Sequence, residues 1–250
     1  MKVTTILLLA VALPVAAAQG LASLEATHPS VPGPPGICFQ LEIGDHASIP
    51  WGDGAFARDP DYSAKSLADD VVQILDDSSH TIVHMETLRR AAILVGMPGK
   101  SNVLKPALRL AQKDRLLSLL RGRALKQFMQ ASESKPAQDA DLGLALFDVG
   151  YFLGAVSQIN SFGDGDGGQE LKQASTLRGD DGAIWLGYCL AGFESEGHRI
   201  SPSTLKRACD LAKDNPLLRL NLEQTVGPIT GNSSYDEIVA WANLQSAKGK

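Results

Sequence analysis

The hydrophobic pattern of this chain has the helical period along most of its length. Leu67, Val71, Ile74 and Leu75 follow the i, i+4, i+7, i+8 spacing that places apolar side chains on one face of a helix. Similar patterns, separated by glycine, proline and short polar turns, predict further helices over about 81–95, 103–130 with a break near 113–114, 139–160, 169–177, 181–196, 202–213, 216–225 and 233–247. We therefore expect an all-α fold, an antiparallel helical-hairpin array that is either a compact bundle or an irregular α-solenoid.

The first 36 residues depart from this pattern. Lys2 precedes an apolar run over 6–15 and three alanines at 16–18, which is typical of a secretory signal peptide cut before Gln19 and is too short to span a bilayer. Residues 19–36 end in a proline- and glycine-rich segment that predicts a semi-extended linker, because proline fixes φ and donates no backbone hydrogen bond. The chain is thus expected to be exported, to a periplasm or to the medium.

A short extended segment is predicted where the folded domain, residues 37–250, begins. Ile37, Phe39, Leu41 and Ile43 alternate with polar or small residues, which is the period of a strand with one buried face. Since one strand cannot form a sheet, we expect an N-terminal strap over 37–58 that pairs locally or lies along the helices.

Composition narrows the classes of partner. The net charge is −5 and the isoelectric point is about 5.5, which argues against nucleic acid, since affinity for phosphates depends on clustered cations. The densest basic stretch, 115–126, alternates with leucines and is predicted to be a solvated helix face. No membrane span is expected after removal of the signal peptide.

Four residues are weak candidates for a metal site. His80 and His84 lie four apart at the start of a predicted helix, a spacing that suits a divalent metal. Asp164 and Asp166 alternate with glycines, as in a calcium loop, but Gln169 and Ser175 stand where an EF-hand needs Gly and Glu. We expect His80 and His84 to be ordinary surface histidines and the loop with Asp164 and Asp166 to be a plain helix connector. No cofactor is expected.

Asp148 is the one charge in the apolar stretch 142–156. In a buried helix this carboxylate needs a partner, since burying an unpaired charge is costly. Arg89 or Arg90 is the expected partner, and Glu86 and Arg90 also form a favourable i, i+4 pair. A structural ion pair is the preferred interpretation, and a general acid or base in a cleft is the alternative.

The cysteine spacing predicts a disulfide. Cys189 and Cys209 are each ten residues from Arg199, so an antiparallel hairpin centred there would place them at one level. Export would supply oxidising conditions. Two buried thiols, or a pairing with Cys38, are the alternatives.

No complete catalytic motif is present, so the functional expectation is a binding role. We expect a non-enzymatic binding or scaffold protein that offers a helical groove to a protein, a peptide or a cell-envelope component. The alternative is an exported hydrolase, metal-assisted in one version, that uses His46, His80, His84 and Asp148 in a cleft.

Overall fold

The computed structural model describes residues 34–97, 105–131, 137–159, 165–192 and 199–248. Within them the chain forms eleven helices and one short 3-10 turn, Ala64–Ser66. The helices are α1 (Pro35–Cys38), α2 (Leu67–Asp77), α3 (Thr81–Gly96), α4 (Pro106–Ala131), α5 (Ala137–Ile159), α6 (Gly168–Leu177), α7 (Gly182–Ala191), α8 (Pro202–Ala212), α9 (Pro216–Thr225), α10 (Gly227–Thr230) and α11 (Tyr235–Lys248). The all-α prediction is confirmed, and the segment predicted to be a signal peptide lies outside the described residues.

The periodic pattern located the long helices well. α2, α3, α5, α6, α8, α9 and α11 begin and end within about four residues of the predicted bounds. α4 runs without the break expected near Lys113 and Asp114; there the Lys113 side chain is buried and its Nζ lies 3.2 Å from the Asp114 carboxylate. The one-turn helices α1 and α10 are too short for a periodic signal.

The helices form a bundle, with α3 and α5 at its centre. All sixteen residues of α3 are buried, and α3 packs against α1, α2, α4, α5 and α7. In a solenoid each unit touches only its neighbours in sequence. Here the backbone N–H of Glu42 donates to Asn221 Oδ1, across 179 residues, which joins the two ends of the domain.

Glycine allows α5 to approach its neighbours closely. A Cβ atom at Gly150 would lie 2.9 Å from the carbonyl oxygen of Gly167, and one at Gly154 would collide with the backbone of Ala191. Larger residues at either position would push α6 and α7 away from the central helix.

The N-terminal strap differs from its prediction. Within the described residues it forms no strand, and its β-type pairing is an isolated bridge between Trp51 and Arg58. Pro35 and Gly36, assigned to the linker, instead begin α1 and are buried. Proline favours the first turn of a helix, where its missing N–H costs nothing, so the folded domain begins before Ile37.

α5 meets the length and composition of a membrane span over Asp139–Ile159, with a mean hydropathy of 1.5. Of the most apolar part of this stretch, 78% is buried inside the protein. A core helix of a globular protein has these same properties.

Candidate functional site

A buried network of charges joins four helices around Asp148. Asp148 Oδ1 lies 2.6 Å from His84 Nδ1, and its Oδ2 accepts a hydrogen bond of 2.6 Å from Arg123 on α4. Arg123 also donates to Asp76 at the end of α2. Asp148 is thus a paired, buried carboxylate, as predicted, but its partners are His84 and Arg123 and not Arg89 or Arg90.

The geometry defines the protonation state of His84. Its Nε2 lies 2.9 Å from the carbonyl oxygen of Ser78, and its Nδ1 faces the Asp148 carboxylate. Both neighbours are acceptors, so both ring nitrogens donate and the side chain is an imidazolium. Burial alone would lower the pKa of His84, but the charge of Asp148 and the hydrogen bonds to Asp148 and Ser78 raise it above its usual value.

This network is closed to substrates. His84 and Asp148 have no solvent-exposed side-chain surface, and both nitrogens of His84 are engaged. A general base needs an accessible nitrogen or oxygen within reach of the substrate. The pair therefore ties α2, α3, α4 and α5 together, and it offers no position for a metal or for a scissile bond.

The structure does not bring the two candidate histidines together. His80 is the N-cap residue of α3, and its exposed ring packs at a tilt against His46, with the ring centroids 4.5 Å apart. His84 is fully buried and not the surface histidine that was expected, and both of its ring nitrogens are engaged in the interior. Within the described part of the chain no group of three or more metal-type side chains converges.

Arg89 and Arg90 form a second buried network, with Glu86. The Arg89 and Arg90 Nε atoms each donate to the Glu86 carboxylate at 2.7 Å, which confirms the Glu86–Arg90 pair. The Glu86 carboxylate also accepts from the backbone N–H of Leu41, and Arg89 donates to the carbonyl oxygen of Ile37. This triad fastens the strap to α3, and it leaves neither arginine for Asp148.

The calcium-loop candidates fall partly outside the described residues. Asp164 lies among the undescribed positions. Asp166 is exposed and accepts a hydrogen bond from the backbone N–H of Gly168, in the first turn of α6. The observed role of Asp166 is thus to satisfy an orphan donor at a helix start.

The register of α7 and α8 does not support the predicted disulfide. A Cβ atom at Gly182 would lie 2.9 Å from Leu211 and 3.6 Å from Ala208, so Gly182 is level with Cys209. Cys189 is seven residues further along α7, about 10 Å at the helical rise. The structure has no disulfide between these cysteines, and the contacts of Gly182 place the centre of the hairpin before Arg199.

A concave, mostly apolar surface lies between α4, α5 and α6. We call this surface the α4–α6 groove; it is about 510 Å³ in volume and is lined by Ala124, Leu125, Phe128, Leu142, Leu146, Gln173, Thr176 and Leu177. Six of these eight side chains are apolar, and Gln173 and Thr176 supply polar groups at the edge. Small numbers of polar groups in an apolar depression are typical of a binding site.

Large apolar side chains stand exposed beside this groove. The exposed fractions are 59% for Leu125, 60% for Phe128 and 61% for Met129. A contiguous exposed apolar patch of this kind marks an interaction surface more often than an exposed single leucine does.

Sequence reasoning missed this site, although a signal was present. The inward face of α4 is made by Leu116, Leu117, Leu120 and Ala124. Phe128 continues that stripe yet is exposed, and Leu125 and Met129 lie off it, so the end of α4 has more apolar residues than its core face needs.

Comparison with known protein families, with curated proteins and with solved structures gives no match for this chain. The function of the groove is therefore argued from its geometry and chemistry.

Proposed function

We propose that this chain is an exported, non-enzymatic protein that binds an apolar segment of a protein or peptide partner in the α4–α6 groove. The observation that carries the proposal is the groove itself, an apolar depression bordered by exposed Leu125 and Phe128. Burial of such side chains against a partner contributes the main favourable free energy of association.

The buried state of the His84–Asp148 pair favours binding over hydrolysis. Of the residues named for hydrolysis, His84 and Asp148 lie in the interior, whereas His46 and His80 pack against each other at the surface. By contrast, the groove needs no chemistry beyond apolar contact and the hydrogen-bonding groups of Gln173 and Thr176.

The proposal is tested with a displayed library of random peptides. Peptides are selected on the wild-type protein, and their dissociation constants are measured by fluorescence anisotropy. Thr176→Trp places an indole in the groove from its rim, and Gln169→Trp places one on the same helix outside the lining residues.

We expect selected peptides to carry two or more large apolar residues, to bind Thr176→Trp at least tenfold more weakly, and to bind Gln169→Trp within twofold of wild type. Circular dichroism checks that both variants are folded. Failure to select any peptide, or equal binding to Thr176→Trp and wild type, would overturn the proposal.

A further inference from the structure

Neither the conformation nor the surroundings of Gly122 within this chain require a glycine. It lies in the interior of α4 and is exposed, a place where glycine is less favourable than alanine. A Cβ atom at Gly122 would meet nothing within 4 Å. At each glycine within α5 and α7, by contrast, a Cβ atom would press on a neighbouring part of the protein, such as Gly167 or Phe147.

Two depressions meet at Leu125, and Gly122 lines one of them. One is the α4–α6 groove, and the other is a shallow depression of about 400 Å³ on the outer face of α4, lined by Gly122, Leu125, Lys126, Met129 and Gln130. Leu125 lines both. The apolar surface is therefore continuous from the α4–α6 groove to the outer face of α4.

A helix lying across α4 can place side chains in both depressions, since residues i and i+7 of a helix share one face and lie about 10.5 Å apart. The side chain at i+3 or i+4 would then lie against Leu125, which both depressions share. The side chain at i+7 would lie over Gly122, where the missing Cβ allows the two backbones to approach.

The charged residues of α4 itself around the crossing point are positive. Arg121 and Lys126 are exposed on either side of Leu125, and neither forms an ion pair within the described part of the chain. The other cations of this half of α4 are engaged, Arg115 with Asp69 and Arg123 with Asp76 and Asp148. From Arg115 to Ala131 the helix has no acidic residue, so an acidic partner is complementary to it.

We propose that the partner is an acidic amphipathic helix of another protein, which crosses α4 at Gly122 with apolar residues at i, i+3 or i+4, and i+7. Its carboxylates flank this apolar face and pair with Arg121 and Lys126. This inference rests on the proposed function and specifies its partner.

The positive charges and the missing Cβ atom at Gly122 favour an acidic helix over two other occupants, a second copy of this chain and a lipid surface. A second copy of this chain that met the surface with the same face would bring Arg121 and Lys126 near their own counterparts, which is repulsive. A lipid surface is flat on the scale of one helix turn and gains nothing from a missing Cβ atom.

The experiment uses a displayed library of 18-residue helical peptides, selected on the full protein. The variants are Gly122→Ala, Gly122→Leu and the double change Arg121→Glu with Lys126→Glu. Ser118→Leu, an exposed change one turn earlier on α4, is the matched control.

We expect selected peptides to place Asp or Glu beside apolar residues at i and i+7. Gly122→Ala should raise the melting temperature by about 2–4 °C, because alanine is the better helix former, while it weakens peptide binding at least fivefold. Gly122→Leu and the double charge reversal should each weaken binding at least twentyfold, and Ser118→Leu should change it less than twofold.

Results that contradict the crossing helix differ from results that contradict the proposed function. Peptides that respond to Thr176→Trp but not to Gly122→Leu or to charge reversal would overturn the crossing helix and leave the groove as a binding site. A dimer in sedimentation equilibrium that Gly122→Leu dissociates would assign the face to a second copy, and binding to phosphatidylglycerol vesicles that Gly122→Leu abolishes would assign it to lipid. Either result would overturn the inference.

Discussion

At the scale of single residues, Asp148 is the acceptor on which the central network depends. Asp148→Ala leaves the His84 imidazolium and Arg123 without their shared carboxylate in a site where His84 is fully buried. We expect a loss of about 2–4 kcal/mol in the free energy of unfolding. Urea denaturation measures it, with Asp141→Ala, an exposed acid on the same helix, as the control that should change stability by less than about 0.5 kcal/mol.

The raised pKa of His84 predicts a pH dependence. A group whose pKa is higher in the folded state contributes stability that is present below its unfolded value, about 6.5, and is lost as the pH rises through the folded value. Asp148, Arg123 and the Ser78 carbonyl are the groups that face it. Wild type should therefore exceed His84→Gln in free energy of unfolding by more at pH 6 than at pH 9, and a difference that does not change with pH would contradict the imidazolium.

The thiols give a third test at this scale. Burial and the neighbouring Asp210 raise the pKa of Cys209 to about 11, so its thiolate is scarce at neutral pH. Native protein at pH 8 should react with iodoacetamide at Cys209 far more slowly than the urea-unfolded chain does. Non-reducing peptide mapping should find no Cys189–Cys209 link, and finding one would contradict the register of α7 and α8.

The prediction for Asp148 was right on burial and wrong on the partner, and the surface position expected for His84 was wrong. An acid alone among apolar residues indicates burial, so the environment of Asp148 followed from the sequence. Its partner did not, because Glu86 lies three and four residues before Arg89 and Arg90 and captures both within one helix. Which face of α3 turns toward α5 depends on packing between helices distant in sequence.

At the scale of elements, the strap is held to α3 through Glu86. Glu86→Gln removes the charge that Arg89 and Arg90 share, and both arginines are mostly buried. We expect a loss of about 3 kcal/mol and faster hydrogen exchange at the Leu41 amide, which donates to Glu86. Glu42→Gln, on the exposed side of the strap, is the control and should leave exchange at Leu41 within threefold of wild type.

The elements that the sequence predicted best are those with a strong period. The long helices bury one stripe or all of their residues, and that requirement is visible in the order of apolar positions. The strap shows the limit of this signal. Leu41 and Ile43 are buried, as the alternation indicates. An alternating pattern cannot show, however, whether a second strand exists to pair with this segment. In the structure, hydrogen bonds with side chains of α3 take the place of that strand.

At the scale of the whole molecule, contacts between distant parts of the chain decide that the helices form a bundle. α1 packs on α3, α5 and α7, and the strap reaches Asn221 on α9. Hairpin signals in a sequence are local, so they fit a bundle and a solenoid equally. The α4–α6 groove has the same origin, since its lining comes from three helices whose relative positions no local pattern specifies.

The start of the folded domain is the last feature that this architecture predicts. A chain that begins at Pro34 keeps α1, including the hydrogen bond from Gly36 N–H to Gln158 Oε1, and should melt within about 2 °C of the chain without residues 1–18. A chain that begins at Phe39 loses the buried Ile37 and the carbonyl oxygen to which Arg89 donates. Losing a buried isoleucine and a partner of a buried cation costs several kcal/mol, so its melting temperature should fall by at least about 8 °C. Differential scanning calorimetry measures both truncations, and equal melting temperatures would show that α1 only rests on the bundle and that the domain begins within the strap.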